Sequence, residues 1–182
     1  MNKTEIVKYL SKLAHAYDGL GGPSLTISIC GGAALMVLGL VNRTTKDIDL
    51  VAPQSLPPEF YRAASIVAKE FGLPEDWINQ GPKQLADMGL PDGFDERAII
   101  RQYGKKLAAR FASRLDQIFF KTYASADRGG YHAEDLKRLN PSHEELKAAA
   151  LWCMSHDVSS NFRDILKSML DKLGYEKVAQ EI

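Results

Sequence analysis

Several things are scarce in this chain of 182 residues. It has two cysteines, Cys30 and Cys153, too few for a disulfide framework or a cysteine-rich zinc site. Cys30 falls in an apolar run and Cys153 in a helical pattern, so both read as reduced core thiols. Net charge is missing as well: 23 Lys plus Arg balance 23 Asp plus Glu. That balance excludes nucleic-acid binding by bulk charge alone. No apolar run can span a bilayer, since the longest, Gly31 to Val41, is too short. Met1-Asn2-Lys3-Thr4-Glu5 leads into an amphipathic pattern rather than an apolar leader, and Asn2 stands where myristoylation needs glycine. Repeats and low-complexity segments are absent. What remains is ordinary globular material, 45% hydrophobic and 25% charged. The expectation is one domain of usual size, or one with a helical tail, cytoplasmic and with no membrane partner.

Periodicity gives the elements. Ile6, Leu10, Leu13 and Tyr17 recur at helical spacing, which predicts a helix over 3–17. Leu25 to Cys30 alternates like a strand, and Gly31-Gly32 then launches a helix through Leu38. Asp47 to Val51 reads as a short second strand closed by Ala52-Pro53. A helix is expected over 59–71, mostly loop with short helical turns over 72–95, and a third strand over 107–113. From Leu115 the pattern is helical almost to the end. Asn140-Pro141-Ser142 interrupts it, and Ser142 with Glu145 makes a capping box. Ser159 or Ser160 caps a last helix that stops at Gly174. Trp77 and Trp152 read as packing residues, and Leu166, Leu170 and Leu173 as a helical stripe for core packing or, alternatively, for docking a partner.

Charge is uneven within the zero total. Residues 51–96 hold three basic and eight acidic side chains. Residues 97–121 hold Arg97, Arg101, Lys105, Lys106, Arg110, Arg114 and Lys121 against Asp116 alone. Such a stretch is a solvated face, or a phosphate-facing surface if an anion-using site lies beside it.

One constellation carries chemistry: a strand ending in Gly31-Gly32, a helix start, then Asp47-x-Asp49 on a second strand. Two glycines let a ligand approach the backbone, and the helix start offers N–H groups to phosphate. Residues two apart on a strand share a face, so Asp47 and Asp49 converge while Ile48 and Leu50 turn to the core. Two convergent carboxylates suit Mg²⁺, commonly held by one or two carboxylates plus substrate phosphates.

Ile29-Cys30-Gly31-Gly32-Ala33, followed by Asp47-Ile48-Asp49-Leu50, resembles the signature of the DNA polymerase β-like nucleotidyltransferases. Gly31 to Leu35, Arg43 to Leu50, Lys121 and Asp135-Leu136 resemble its AbiEii-type branch, which includes toxins of toxin–antitoxin systems. The resemblance covers about residues 25–150. It implies an α/β (α+β) fold: a nucleotidyltransferase-like domain over 1–115, with its N-terminal helix and small mixed sheet, and a helical region over 116–182 packed on it. It implies nucleotide contacts at Gly31, Gly32, Ala33, Arg43, Lys46 and Lys121, and Mg²⁺ or Mn²⁺ on Asp47 and Asp49. Asp47, Asp49, Lys121 and Asp135 become the catalytic set. The implied reaction moves a nucleoside monophosphate from a nucleoside triphosphate to a hydroxyl of RNA, tRNA included, or of protein, releasing pyrophosphate. An antitoxin protein is an implied partner.

The chain departs from the pattern in two places. Residue 33 is alanine where many members have serine or threonine. Members also take a third carboxylate from a later strand, yet 107–113 holds Arg110, and the nearest acids are Asp116, Asp127 and Asp135. An inactive nucleotide-binding or interaction module on the same fold is therefore the alternative reading. Asp47-x-Asp49 also fits the haloacid dehalogenase and glycosyltransferase patterns, but no apolar strand runs into it and the chain is short for the latter. The four histidines show no ligand spacing; His132, near Asp135, is the one to watch.

Overall fold

In a computed structural model the chain is described at every residue except Met88. It divides into two compact units, Met1–Ser113 and Arg114–Ile182.

The first unit opens with α1 (Lys3–Gly19). Asn2 starts it with a capping box: its side chain accepts the Glu5 N–H at 3.0 Å, and the Glu5 carboxylate accepts the Asn2 N–H at 2.7 Å. Then come β1 (Leu25–Cys30), α2 (Gly31–Val37), β2 (Ile48–Ala52) and α3 (Pro58–Phe71). The short elements β3 (Ile78–Asn79), α4 (Lys83–Asp87) and α5 (Phe94–Arg97) lead to β4 (Ile99–Gln102) and β5 (Leu107–Phe111). The five strands form one mixed sheet in the order β3-β2-β1-β5-β4. β1 runs antiparallel to β2 and parallel to β5, β3 is parallel to β2, and β4 is antiparallel to β5. The expected α/β class with a small mixed sheet is what the chain adopts.

Alternation along the strands sorts the side chains. Ile27 and Ile29 on β1, Ile48 and Leu50 on β2, and Ala109 and Phe111 on β5 are fully buried. They form one cluster with Ile6, Leu10, Leu13 and Tyr17 of α1 and Phe60, Ala63 and Val67 of α3. Trp77 joins that cluster and donates its indole N–H to the Ala64 carbonyl at 3.1 Å. The opposite strand positions, Cys30, Asp49 and Arg110 among them, face the other side of the sheet. At the end of α1, the Asp18 carboxylate accepts the N–H groups of Lys105 and Lys106, at 2.7 and 2.9 Å, and so fixes the β4–β5 turn.

The second unit is helical: α6 (Arg114–Arg128), α7 (Tyr131–Leu139), α8 (His143–His156), α9 (Ser160–Leu173) and α10 (Glu176–Glu181). Ser142 and Glu145 form the expected capping box on α8. Ser159 caps α9, which ends at Gly174 in the left-handed region. Trp152 packs against Phe119, Phe120 and Tyr123, and Leu166 and Leu170 are fully buried. Both cysteines are free and buried. Among the described residues no helix is long and apolar enough to cross a membrane.

Three local expectations need correction. The stretch read as loop and helical turns also holds strand β3, and β4 was not foreseen. Asp47 precedes the first residue of β2 rather than starting it. The helical run after Leu115 breaks also at Gly129 and Gly130, both at positive φ.

Candidate functional site

Cys30 is the cross-strand partner of Asp49, so the end of β1 delivers Gly31 directly beside that carboxylate. Gly31 sits at φ +65, a left-handed conformation that glycine adopts without penalty. A Cβ there would lie 2.6 Å from Asp49 Oδ2. Gly32 is equally constrained, because a Cβ would meet Thr45 Oγ1 at 2.9 Å and Arg43 Nη2 at 3.0 Å. Each glycine therefore has a steric reason: an acid lies against the first, and the 43–47 loop lies over the second. That loop is held by the Thr45 N–H, which donates to the Met1 carbonyl at 2.9 Å, and by the Thr45 hydroxyl, which donates to the Asp47 carbonyl at 3.3 Å. Arg43 donates to the Thr44 carbonyl at 2.8 Å.

Asp47 and Asp49 are both partly exposed, while Ile48 between them is fully buried. Asp49 thus lies on the face of β2 away from the core, and Asp47 stands one residue before that strand. Beside them is a residue that the sequence did not flag. Asn79, the partner of Asp49 across the β2–β3 pairing, donates from Nδ2 to Asp47 Oδ2 at 3.4 Å. Its Oδ1 accepts the Gly81 N–H at 2.7 Å, which turns the amide so that its donor faces the acid. The only local hint was an apolar pair, Trp77-Ile78, followed by two polar residues and Gly81, too short to show a period.

No first-turn N–H of α2 receives a side-chain cap from Cys30. Ala33 is buried in the core, so it offers a ligand nothing beyond its backbone N–H. Lys46 is exposed on the 43–47 loop. In the first unit the structure therefore gathers Gly31, Gly32, Arg43, Asp47, Asp49 and Asn79 in one place.

Lys121 and Asp135 belong to the second unit and meet each other there. Lys121 Nζ lies 2.8 Å from Asp135 Oδ2, with the side chains only 4% and 1% exposed. His132 Nδ1 stands 3.4 Å from the same ammonium, and the Tyr131 ring centroid is 5.5 Å away. That burial excludes a lysine reaching to solvent and a solvated aspartate at these positions.

No third acid joins Asp47 and Asp49: among the described residues, no three His, Cys, Asp or Glu side chains are grouped to hold a metal. On β5, Arg110 is the partner of Ser28 and pairs with Asp95. Asp116 is fully buried in the first turn of α6. The basic stretch is partly committed to structure as well. Arg114 donates to the Leu139 carbonyl, at 3.0 and 2.7 Å, and to Glu145, at 2.7 and 3.1 Å. That interaction holds the Glu145 carboxyl below its ordinary range.

Two partly exposed carboxylates set two residues apart, one of them held against a glycine at a helix start, fit a divalent cation completed by phosphate oxygens. A family model described as a nucleotidyltransferase of unknown function (DUF6036) matches residues 7–142, from within α1 through α7. No curated protein and no solved structure matches the chain.

Proposed function

The chain belongs to this nucleotidyltransferase family, and from that premise we propose that it transfers a nucleoside monophosphate from a nucleoside triphosphate to a hydroxyl of RNA, such as tRNA, or of protein. The observation that carries the reading is the Asp49 carboxylate held against Gly31, with Asp47 two residues before it. Asp47 and Asp49 would hold Mg²⁺ or Mn²⁺, which supplies charge neutralisation on the triphosphate. Gly31 and Gly32 let Asp49 and the 43–47 loop close against the start of α2, and Arg43 and Lys46 add positive charge on that loop for the phosphates. Asn79 positions Asp47 through its amide donor. Lys121 and Asp135 are the lysine and aspartate that the AbiEii-type resemblance assigns to the reaction. The acceptor oxygen attacks the α-phosphorus, a P–O bond forms, and the bond to the departing pyrophosphate breaks. By the same resemblance the protein is the toxin of a pair, with an antitoxin protein as partner.

A second reading has its own support. The absence of a three-acid group among the described residues, and Arg110 on the later strand, favour a module that binds nucleotide without transferring it. One experiment separates the two. The protein is incubated with each labelled nucleoside triphosphate, Mg²⁺ and bulk tRNA, beside an Asp49→Ala control. Label on RNA or protein that the control abolishes supports transfer. Retained nucleotide binding with no transfer from any donor refutes transfer and leaves the binding module.

A further inference from the structure

Asn79 has a second role in the first unit: it lines a cleft of about 300 Å³ between α3 and β3. That volume is at the small end for organic ligands. Phe60, Ala64 and Ile78 give the cleft a buried apolar wall. Tyr61, exposed at its side, stands edge-on to Phe60 with ring centroids 6.2 Å apart. Its hydroxyl donates to Gln80 Oε1 at 3.2 Å. Gln80 Nε2 is engaged by the carbonyls of Pro53 and Gln54, at 2.6 and 3.1 Å, so the amide's acceptor is the end presented to Tyr61.

Charge selects the class of occupant. Among the described residues neither lysine nor arginine lines the cleft, and Glu75 is the one formally charged residue there. Phosphate would be repelled there, whereas a planar ring bearing N–H donors would meet an aromatic wall and acceptor oxygens. The strand edge adds to this. Ile48 donates to the Trp77 carbonyl at 2.8 Å and is the register partner of Ile78. In a parallel pair that arrangement turns the N–H and C=O of Ile78 away from β2, toward the open edge.

We propose that this cleft holds a nucleobase with an exocyclic amino group, its donor edge on Glu75 and Gln80 and its ring between Tyr61 and the apolar wall. The link to catalysis rests on the nucleotide reading above, since Asn79 is at once a wall of the cleft and the hydrogen-bond partner of Asp47. A donor nucleotide and the end of an acceptor strand both carry such a base.

The test uses the full chain and calorimetric titration with adenosine, guanosine, cytidine and uridine, which lack phosphates, and separately with Mg²⁺ tripolyphosphate, which lacks a base. An amino-bearing nucleoside should bind at least tenfold more tightly than uridine. Ser65→Trp fills the cleft from an exposed position on α3. With its melting temperature checked against wild type, it should weaken nucleoside binding at least tenfold and leave tripolyphosphate binding unchanged. Asp49→Ala should do the reverse. Absence of nucleoside binding by wild type, or wild-type nucleoside affinity in Ser65→Trp, overturns the cleft assignment, and uridine binding as tightly as adenosine, guanosine and cytidine overturns the amino-group assignment. If Ser65→Trp behaves as stated while Asp49→Ala retains tripolyphosphate, the cleft stands and the acid-pair reading falls. Competition between a nucleoside triphosphate and the bound nucleoside identifies the donor's base as occupant; simultaneous binding identifies the acceptor's.

Discussion

Replacing Lys121 by methionine is the sharpest perturbation of the second unit. The ammonium and the Asp135 carboxylate are 2.8 Å apart, and their side chains are 4% and 1% exposed. Neither can fall back on water when its partner goes. Breaking a buried pair of this kind costs about 3–5 kcal/mol, because the remaining charge loses its opposite partner in a desolvated place. For a chain of this length each kcal/mol moves the melting temperature by roughly 2–4 °C. Asp135→Leu should cost a similar amount. The double variant Lys121→Met with Asp135→Leu removes both charges and keeps apolar volume, and should return to within about 1 kcal/mol of wild type. Urea unfolding followed through Trp152, which packs on α6, measures all four proteins. A loss below about 1 kcal/mol in Lys121→Met, or purely additive losses in the double variant, would refute the reasoning that the pair is desolvated and mutually dependent. The double variant also divides two roles. Restored stability without nucleotidyl transfer assigns the pair to chemistry; restored stability with full transfer assigns it to structure.

Two further outcomes follow from the geometry. Gly31→Ala incurs about 1–2 kcal/mol for the left-handed backbone, and its Cβ, 2.6 Å from Asp49 Oδ2, forces that carboxylate to move. Titration with Mn²⁺ and nucleotide should show binding lost beyond what reduced stability explains, and wild-type affinity would contradict the proposed role of the glycine. Arg114→Ala removes the bonds that tie the end of α7 to the start of α8, and should destabilise by about 1.5–3 kcal/mol at neutral pH. The Glu145 carboxyl is held below its ordinary value by Arg114. Its contribution is complete above pH 4.5, the unfolded value, and is lost as the pH falls through the folded one. Urea midpoints taken down the acid range should therefore fall less steeply in Arg114→Ala than in wild type.

Local patterns announced much of this fold. Leu25–Cys30 alternates because one of its faces packs on α1 and α3, and Gly31-Gly32 marks a turn that no side chain could occupy. The capping box of Ser142 and Glu145 and the stop at Gly174 are chemical signals contained within a few residues. Strand β4 gave no such signal: all four of its residues are exposed, and it exists through pairing with β5. Strand β3 is two residues long, too short for any period, and exists through pairing with β2. Asn79 was hidden for the same reason, since its place beside Asp47 comes from a contact 32 residues distant along the chain. The basic stretch misled in a different way. Charge counts do not reveal that Arg110, Arg114 and Lys121 face acids of their own unit.

The parallel pairing of β1 with β5 gives the first unit a particular order of assembly. β1, α2 and β2 are consecutive, so Gly31 and Asp49 can meet while the chain is still being synthesised. The other flank of β1 waits for Leu107–Phe111, some eighty residues later, before its hydrogen bonds are satisfied. In the interval β1 is a bare edge open to any passing strand, which is the hazard that slow, non-local sheets present to a nascent chain. A ribosome-bound fragment ending before Leu107 would thus carry the acid pair on an unfinished sheet, and shielding by a chaperone would matter most within that span.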